Sequence, residues 1–225
     1  MFKQITIAEA ESLIAGFRFA RPIRFIDTHH TYRPHKAQWR GGATVDAMAN
    51  FHRSTLGWSG IGQHWTIGPD GSVWTGRDLN QFPCSQTGFN AGALMYELVG
   101  NFCAPDEEGT FPPYDTLDAA QLVAAVAVSA AVLARFKLPL TSVRFHRQLR
   151  APGRPPPKTC PGTSVDYDWF VDLVEERCWS RWKFDPAGGE TIEALTVFDA
   201  SEAEGSSHDL IAGDFDTANS DTRLA

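Results

Sequence analysis

The chain has no basic run longer than a few residues and no apolar stretch that approaches a membrane span. The first absence removes the electrostatic footprint a nucleic-acid backbone needs, so nucleic acid is not an expected partner. The second leaves Ala119–Ala134 as the most apolar segment; with Gln121, Ser129 and Arg135 in or beside it, a buried helix suits it better than a bilayer. Met1–Leu13 has neither a long apolar core nor a small-residue cleavage site, so no secretory signal is expected. Cysteine is scarce too: Cys84, Cys103, Cys160 and Cys178 are widely spaced with no C-x-x-C pair, which argues against a disulfide framework. Neither an H-E-x-x-H motif nor an internal repeat occurs.

What is present is 225 residues with formal charge -7, unevenly spread. Residues 183–225 hold ten of the 27 acidic and two of the 20 basic side chains, leaving 17 acidic and 18 basic in 1–182. The organisation read from this shift is one domain over 1–182 and an acidic, flexible tail over 183–225.

Along the domain, Ile7–Phe17 reads as a short amphipathic helix and Ile23–Thr28 as a strand with His29 and His30 at its end. Thr44 is placed to cap a helix to about Leu56. Ile61–Gly68 and Ser72–Thr75, joined by Pro69-Asp70-Gly71, form a hairpin pattern. Leu94–Phe102 is an apolar strand interrupted by one acid, Glu97. The long helix Leu117–Phe136, the strand Thr141–His146 and the amphipathic helix Asp166–Trp179 complete the domain.

Chemistry concentrates in Lys158-Thr159-Cys160-Pro161-Gly162, His146 and the His29-His30 pair. Two imidazoles and a thiolate are a zinc-binding set, and reactive zinc is held by three protein ligands with a fourth position left to water. Adjacent strand residues point to opposite faces, so one of His29 and His30 faces any site formed there. Spacing alone defines no metal motif. A carboxylate in an apolar strand also asks for an explanation, with a bond from an internal arginine such as Arg77 or Arg144 as the plain alternative. His52 and His64 read as structural, and Trp58, Trp65, Trp74 and Phe89 as either core or flat walls for a sugar or peptide.

Taken in order, the strand with His-His-Thr, Gly57-Trp-Ser-Gly-Ile-Gly-Gln-His-Trp65, the Pro-Asp-Gly hairpin ending Thr75-Gly-Arg77, Leu98-Val-Gly-Asn-Phe102, and His146 before Lys158–Gly162 resemble the zinc N-acetylmuramoyl-L-alanine amidases. That family spans phage lysozyme-type amidases, bacterial cell-wall amidases and peptidoglycan recognition proteins, and the resemblance covers about 23–178. It implies an α/β fold with a central mixed β-sheet of five or six strands flanked by helices. It also implies Zn2+ held by His29, His146 and Cys160, with His30 facing away and Lys158 beside the reacting carbonyl.

Two departures matter. Where phage and recognition-protein members often carry Tyr before the His, this chain has Gln63, which cannot act as a base. Glu97 in Tyr96-Glu97-Leu98 matches the proton-accepting glutamate of cytoplasmic anhydro-muropeptide amidases, although those enzymes often carry Asp where Cys160 stands here. The implied activity is zinc-dependent hydrolysis of the amide between N-acetylmuramic acid and L-alanine. Its rivals are non-catalytic peptidoglycan binding, which in that family goes with loss of the zinc cysteine, and hydrolysis of another amide. The expected partner is peptidoglycan or a muropeptide, with no membrane and a monomeric state. The expected location is cytoplasmic as synthesised, with release to the wall by lysis or a specialised export route.

Overall fold

A computed structural model describes residues 2–107, 109–150 and 159–182. The expected tail over 183–225 and Lys158 lie outside the described residues. The elements are β1 (Gln4–Ile5), α1 (Ile7–Gly16), β2 (Phe25–His30), α2 (Gly42–Ser54), β3 (Trp65–Ile67), β4 (Val73–Thr75), β5 (Ala93–Leu98), α3 (Ala119–Phe136), β6 (Val143–Phe145) and α4 (Tyr167–Trp182). The strands form one mixed sheet in the order β1-β4-β3-β5-β2-β6. β2 runs parallel to both β5 and β6, and β3 parallel to β5, while β4 is antiparallel to β1 and β3.

Alternation along these strands divides the sheet into two unlike faces. Ile26, Thr28, Leu94, Tyr96, Leu98, Val143 and Phe145 share one face and are all buried. Against it pack α1, α3 and α4, with α3 touching both other helices and strands β2, β3 and β5. The length and hydropathy of α3 would suit a membrane span, but most of the helix is buried in this layer. Its many alanines and valines allow close approach to the sheet, and Gln121 and Ser129 are tied to the sheet by hydrogen bonds. Ser129 Oγ lies 3.0 Å from the Tyr96 hydroxyl, which accepts from Thr28 Oγ1 at 2.7 Å. Gln121 Nε2 donates to the carbonyls of Ile67 and Val99, satisfying the ends of β3 and β5.

The opposite face carries Asp27, His29, Met95, Glu97, Thr66, Trp74 and Arg144. Toward the β1 edge it is covered by α2, whose Val45, Met48 and Ala49 pack with Ile61, Trp39 and Trp74 in a second, smaller core. Toward β2 and β6 the cover is the loop over 81–92. Asp27 and His29 therefore lie under a loop rather than a helix.

The expected α/β class, the mixed sheet and the hairpin are all found, with differences at the boundaries. β2 includes both histidines, because its parallel pairing with β5 continues to His30 opposite Leu98. β5 ends at Leu98; beyond it Gly100 takes a φ of 146° and the chain leaves the sheet. α2 starts earlier than expected. Gly41 at φ 58° is its cap, and Thr44 lies inside the first turn, where its Oγ1 accepts from Arg40 N at 2.8 Å. β1 was not foreseen because two residues give no period to read. α1 opens with a capping box not singled out from the sequence: Glu9 N donates to Thr6 Oγ1 and Thr6 N to Glu9 Oε2.

His64 is a core residue, as expected from sequence. Its Nδ1 accepts from Met95 N at 3.0 Å, and its Nε2 lies 3.1 Å from the Gln81 carbonyl, an arrangement that requires the neutral Nε2–H tautomer. Burial pushes its pKa down to about 3. The unfolded chain, with an ordinary value near ~6.5, binds this proton first. Stability from a neutral His64 is thus complete above about pH 6.5 and is lost as pH falls toward 3. Urea unfolding between neutral pH and pH 4 is expected to show a loss of several kcal/mol. His64→Gln, which does not titrate, is expected to be less stable at neutral pH but to have a flatter profile; an equal acid slope in the variant would refute the assignment.

Candidate metal centre

His29 is the fifth residue of β2, and His146 follows directly after β6. The two strands are parallel neighbours with Asp27 opposite Arg144, so both histidines emerge at the same end of the sheet. Their ring centroids are 4.4 Å apart. Cys160 reaches them from a loop beyond β6, and Arg147 N donates to its carbonyl at 2.9 Å. The ligand atoms of His29, His146 and Cys160 all lie within 4.8 Å of one another.

The Cys160 loop is held on several sides. Gly162 has a φ of 109°, and a Cβ there would stand 2.1 Å from the Phe102 carbonyl group, so only glycine fits. Arg147 donates to the carbonyls of Gly162 and Val165, each at 2.7 Å. Buried Glu107 accepts from the hydroxyls of Thr159 and Thr163 and from Ala104 N. This carboxylate ties the acidic loop after β5 to the cysteine loop, a role the sequence did not signal.

The donor set fits zinc. Metal–ligand lengths of about 2.0 Å to nitrogen and 2.3 Å to sulfur in a tetrahedron separate the two donors by about 3.6 Å. His29 Nδ1 and Cys160 Sγ are 3.5 Å apart. Burial, with lesser repulsion from His146, His30 and Arg144, pushes the His29 pKa well down, so this ring keeps a lone pair for a cation. Burial pushes the Cys160 thiol up, countered in part by the His30 N–H that points at Sγ from 3.3 Å. A thiol enclosed beside a neutral imidazole gains most from a cation that stabilises its anion.

His30 faces away, as alternation requires: its Nδ1 accepts from Phe102 N at 3.2 Å. Glu97 is the register partner of His29 on β5, and its charge is felt at Cys160. The side chain is partly open to solvent yet hemmed in by protein on most sides, and burial alone raises its carboxyl to about 8. The arginine partnership considered for Glu97 is not found. Arg77 donates to the Ile61 carbonyl at 2.7 Å, and Arg144 grips Asp27 at 2.7 and 3.0 Å. Gln63 is fully buried, with Nε2 donating to Thr66 Oγ1 at 2.9 Å, and Thr66 is the other register neighbour of Glu97. Gln63 thus ends beside the strand position flanking this carboxylate.

His52 is bonded elsewhere, accepting from Gly62 N at 3.1 Å. Trp65 is wholly buried and Trp74 belongs to the second core, so neither is a wall for a ligand. A cavity at the β1 edge, between Gln4–Thr6 and Asp70–Ser72, includes none of the clustered residues. Asp27 escaped the sequence reading and Arg144 entered it only as a partner for Glu97, though each stands two residues before a clustered histidine and so on the same strand face. Ser85 and Gln86, which touch both histidines, lie in a loop where no period could have marked them.

Comparison with known proteins agrees with this arrangement. Residues 19–163 match the family model described as N-acetylmuramoyl-L-alanine amidase. The N-acetylmuramoyl-L-alanine amidase of Homo sapiens is 32% identical over 166 residues, 72% of this chain and 25% of that protein. Peptidoglycan-recognition protein SC2 of Drosophila simulans is 29% identical over 134 residues, 59% of this chain and 60% of that one. The chain therefore spans less than two thirds of these relatives. The endolysin N-acetylmuramoyl-L-alanine amidase LysCS of Clostridium intestinale shares the fold at a TM-score of 0.51 and 23% identity, covering 71% of this chain and 92% of its own. With the family model spanning most of the described domain, the chain belongs to the N-acetylmuramoyl-L-alanine amidase family.

Proposed function

We propose that this protein is a zinc-dependent amidase that hydrolyses the bond between N-acetylmuramic acid and L-alanine in peptidoglycan or a soluble muropeptide. The observation that carries this reading is the convergence of His29, His146 and Cys160 within 4.8 Å beside the Glu97 carboxylate. His29, His146 and Cys160 would hold the ion with three protein ligands, the number typical of catalytic rather than structural zinc. When bound, zinc supplies a Lewis acid for the amide carbonyl and lowers the pKa of water.

The chain's own residues then have separable tasks. Glu97 accepts the proton of the attacking water and passes it to the departing L-alanine amine as the carbon–nitrogen bond breaks. Its pKa, raised to about 8 by burial, suits return of the proton to the amine, and a cation bound beside it would favour the ionised form needed to accept one. Gln63 has no acid–base capacity and instead holds Thr66 beside Glu97. Lys158, two residues before Cys160, is assigned the positive donor to the oxyanion on the strength of its place in the motif. The retained cysteine favours hydrolysis over binding alone.

Two measurements test the reading. Cys160→Ser is expected to weaken zinc binding by roughly a hundredfold or more, read as metal content after dialysis. Undiminished zinc in that variant would remove the centre of the proposal. Purified protein incubated with muropeptides is expected to release free stem peptide, detected by mass spectrometry. Glu97→Gln should keep its zinc while its turnover falls by about 10²–10⁴-fold. Near-full turnover in that variant would exclude Glu97 as the proton acceptor, and no release by zinc-loaded parent protein would leave binding as the function.

A further inference from the structure

Each clustered histidine has an outer nitrogen, and both outer nitrogens meet consecutive residues of one loop. Ser85 Oγ lies 2.7 Å from His29 Nε2, and Gln86 Oε1 lies 2.9 Å from His146 Nε2. The direction of each bond follows from its neighbours. The Gln86 amide oxygen can only accept, so His146 carries its proton on Nε2. The Ser85 hydroxyl donates to Asp27 Oδ2 at 3.2 Å, so it accepts from His29 Nε2–H. The inner nitrogen of each ring then keeps its lone pair, and for His29 that is the Nδ1 found 3.5 Å from Cys160 Sγ.

The loop is anchored as a unit. Asn90 Oδ1 accepts from the backbone N–H groups of both Ser85 and Gln86, each at 3.0 Å. Cys84 N donates to the Gly62 carbonyl at 3.0 Å, fixing the preceding residue to the segment before β3. The Asp27 carboxylate at the inner end is itself gripped by Arg144, which also donates to the Phe89 carbonyl at 3.3 Å. The chain of contacts therefore runs from a buried ion pair through a hydroxyl to one imidazole, with the adjacent amide setting the other.

We propose that Ser85 and Gln86 form a single clamp that fixes the tautomer and ring orientation of both metal-binding histidines. They are positioning residues: they act through the imidazoles and touch no reacting atom. An unclamped neutral imidazole divides its proton between two nitrogens and its ring among several orientations, each of which lowers the fraction ready to bind. Outer partners of this kind also raise ligand basicity, and losing one commonly weakens a metal site about 10–100-fold. The inference rests on the zinc reading above and adds to it where the preorganisation resides.

The test compares near-isosteric pairs that differ in hydrogen bonding. Ser85→Thr keeps the hydroxyl and Ser85→Val removes it; Gln86→Glu keeps an acceptor and Gln86→Met removes it. Zinc affinity is measured by competition with a chromophoric chelator, and the visible spectrum of the cobalt(II)-substituted protein reports ligand geometry. Val and Met are expected to weaken zinc by about 10–100-fold and to alter the cobalt bands, with Thr and Glu close to the parent. Zinc-free circular dichroism and melting establish that each variant folds, and the two positions give independent arms should one variant not fold. Val and Met variants that bind zinc within about twofold of the parent, with superimposable cobalt spectra, overturn the clamp while leaving the metal centre intact. A parent protein that takes up no zinc overturns the metal centre and the clamp with it.

Discussion

The arrangement depends on the buried pairing of Asp27 with Arg144 across β2 and β6. The guanidinium meets both carboxylate oxygens, at 2.7 and 3.0 Å, and lies 3.8 Å from the centre of the Phe25 ring. Burial pushes the Asp27 carboxyl up, and the Arg144 fork and the Ser85 hydroxyl pull it back. Removing either partner strands a charge in the interior, at a cost of about 3–5 kcal/mol. Each member stands two residues before a clustered histidine, so the pair sets the register that brings His29 and His146 together. A slip of one residue would send one histidine to the opposite face.

Much of this was legible in the chain itself. Alternation in Ile26-Asp27-Thr28-His29-His30 requires that one histidine face the site and the other the core, and the bond from Phe102 N to His30 shows which. The Pro69-Asp70-Gly71 turn and the apolar run of α3 were equally plain, because turn chemistry and helical period are local properties. What stayed hidden depends on contacts distant in sequence. No pattern within 85–86 announces that these side chains end on histidines 56 and 60 residues away. The partner of Arg144 was likewise undecidable from sequence, since Asp27 and Glu97 both sit on strands that the fold makes its neighbours or near-neighbours. Boundaries moved where backbone geometry overrode side-chain preference, as at Gly41, whose positive φ starts α2 ahead of Thr44.

The two faces of the sheet divide the work. On one, α1, α3 and α4 enclose a core in which Thr28, Tyr96 and Ser129 bond to one another, the Tyr96 phenol being pushed up to about 12 by burial. On the other, carboxylates, imidazoles and a thiol gather, and Gln63 bonds to Thr66, the register neighbour of Glu97.

The wide sequence separation of the ligands has a topological consequence. His29 and Cys160 are 131 residues apart, and His146 joins them from the far side of the long helix. A cation held by all three would staple the beginning and end of the domain together, as a disulfide does elsewhere. Closing so long a loop removes a large share of the freedom of the unfolded chain, and that cost grows only slowly with further length. In a protein with four free cysteines and no disulfide, metal occupancy would thereby govern how readily the two halves of the domain part, as well as whether the chemistry proceeds.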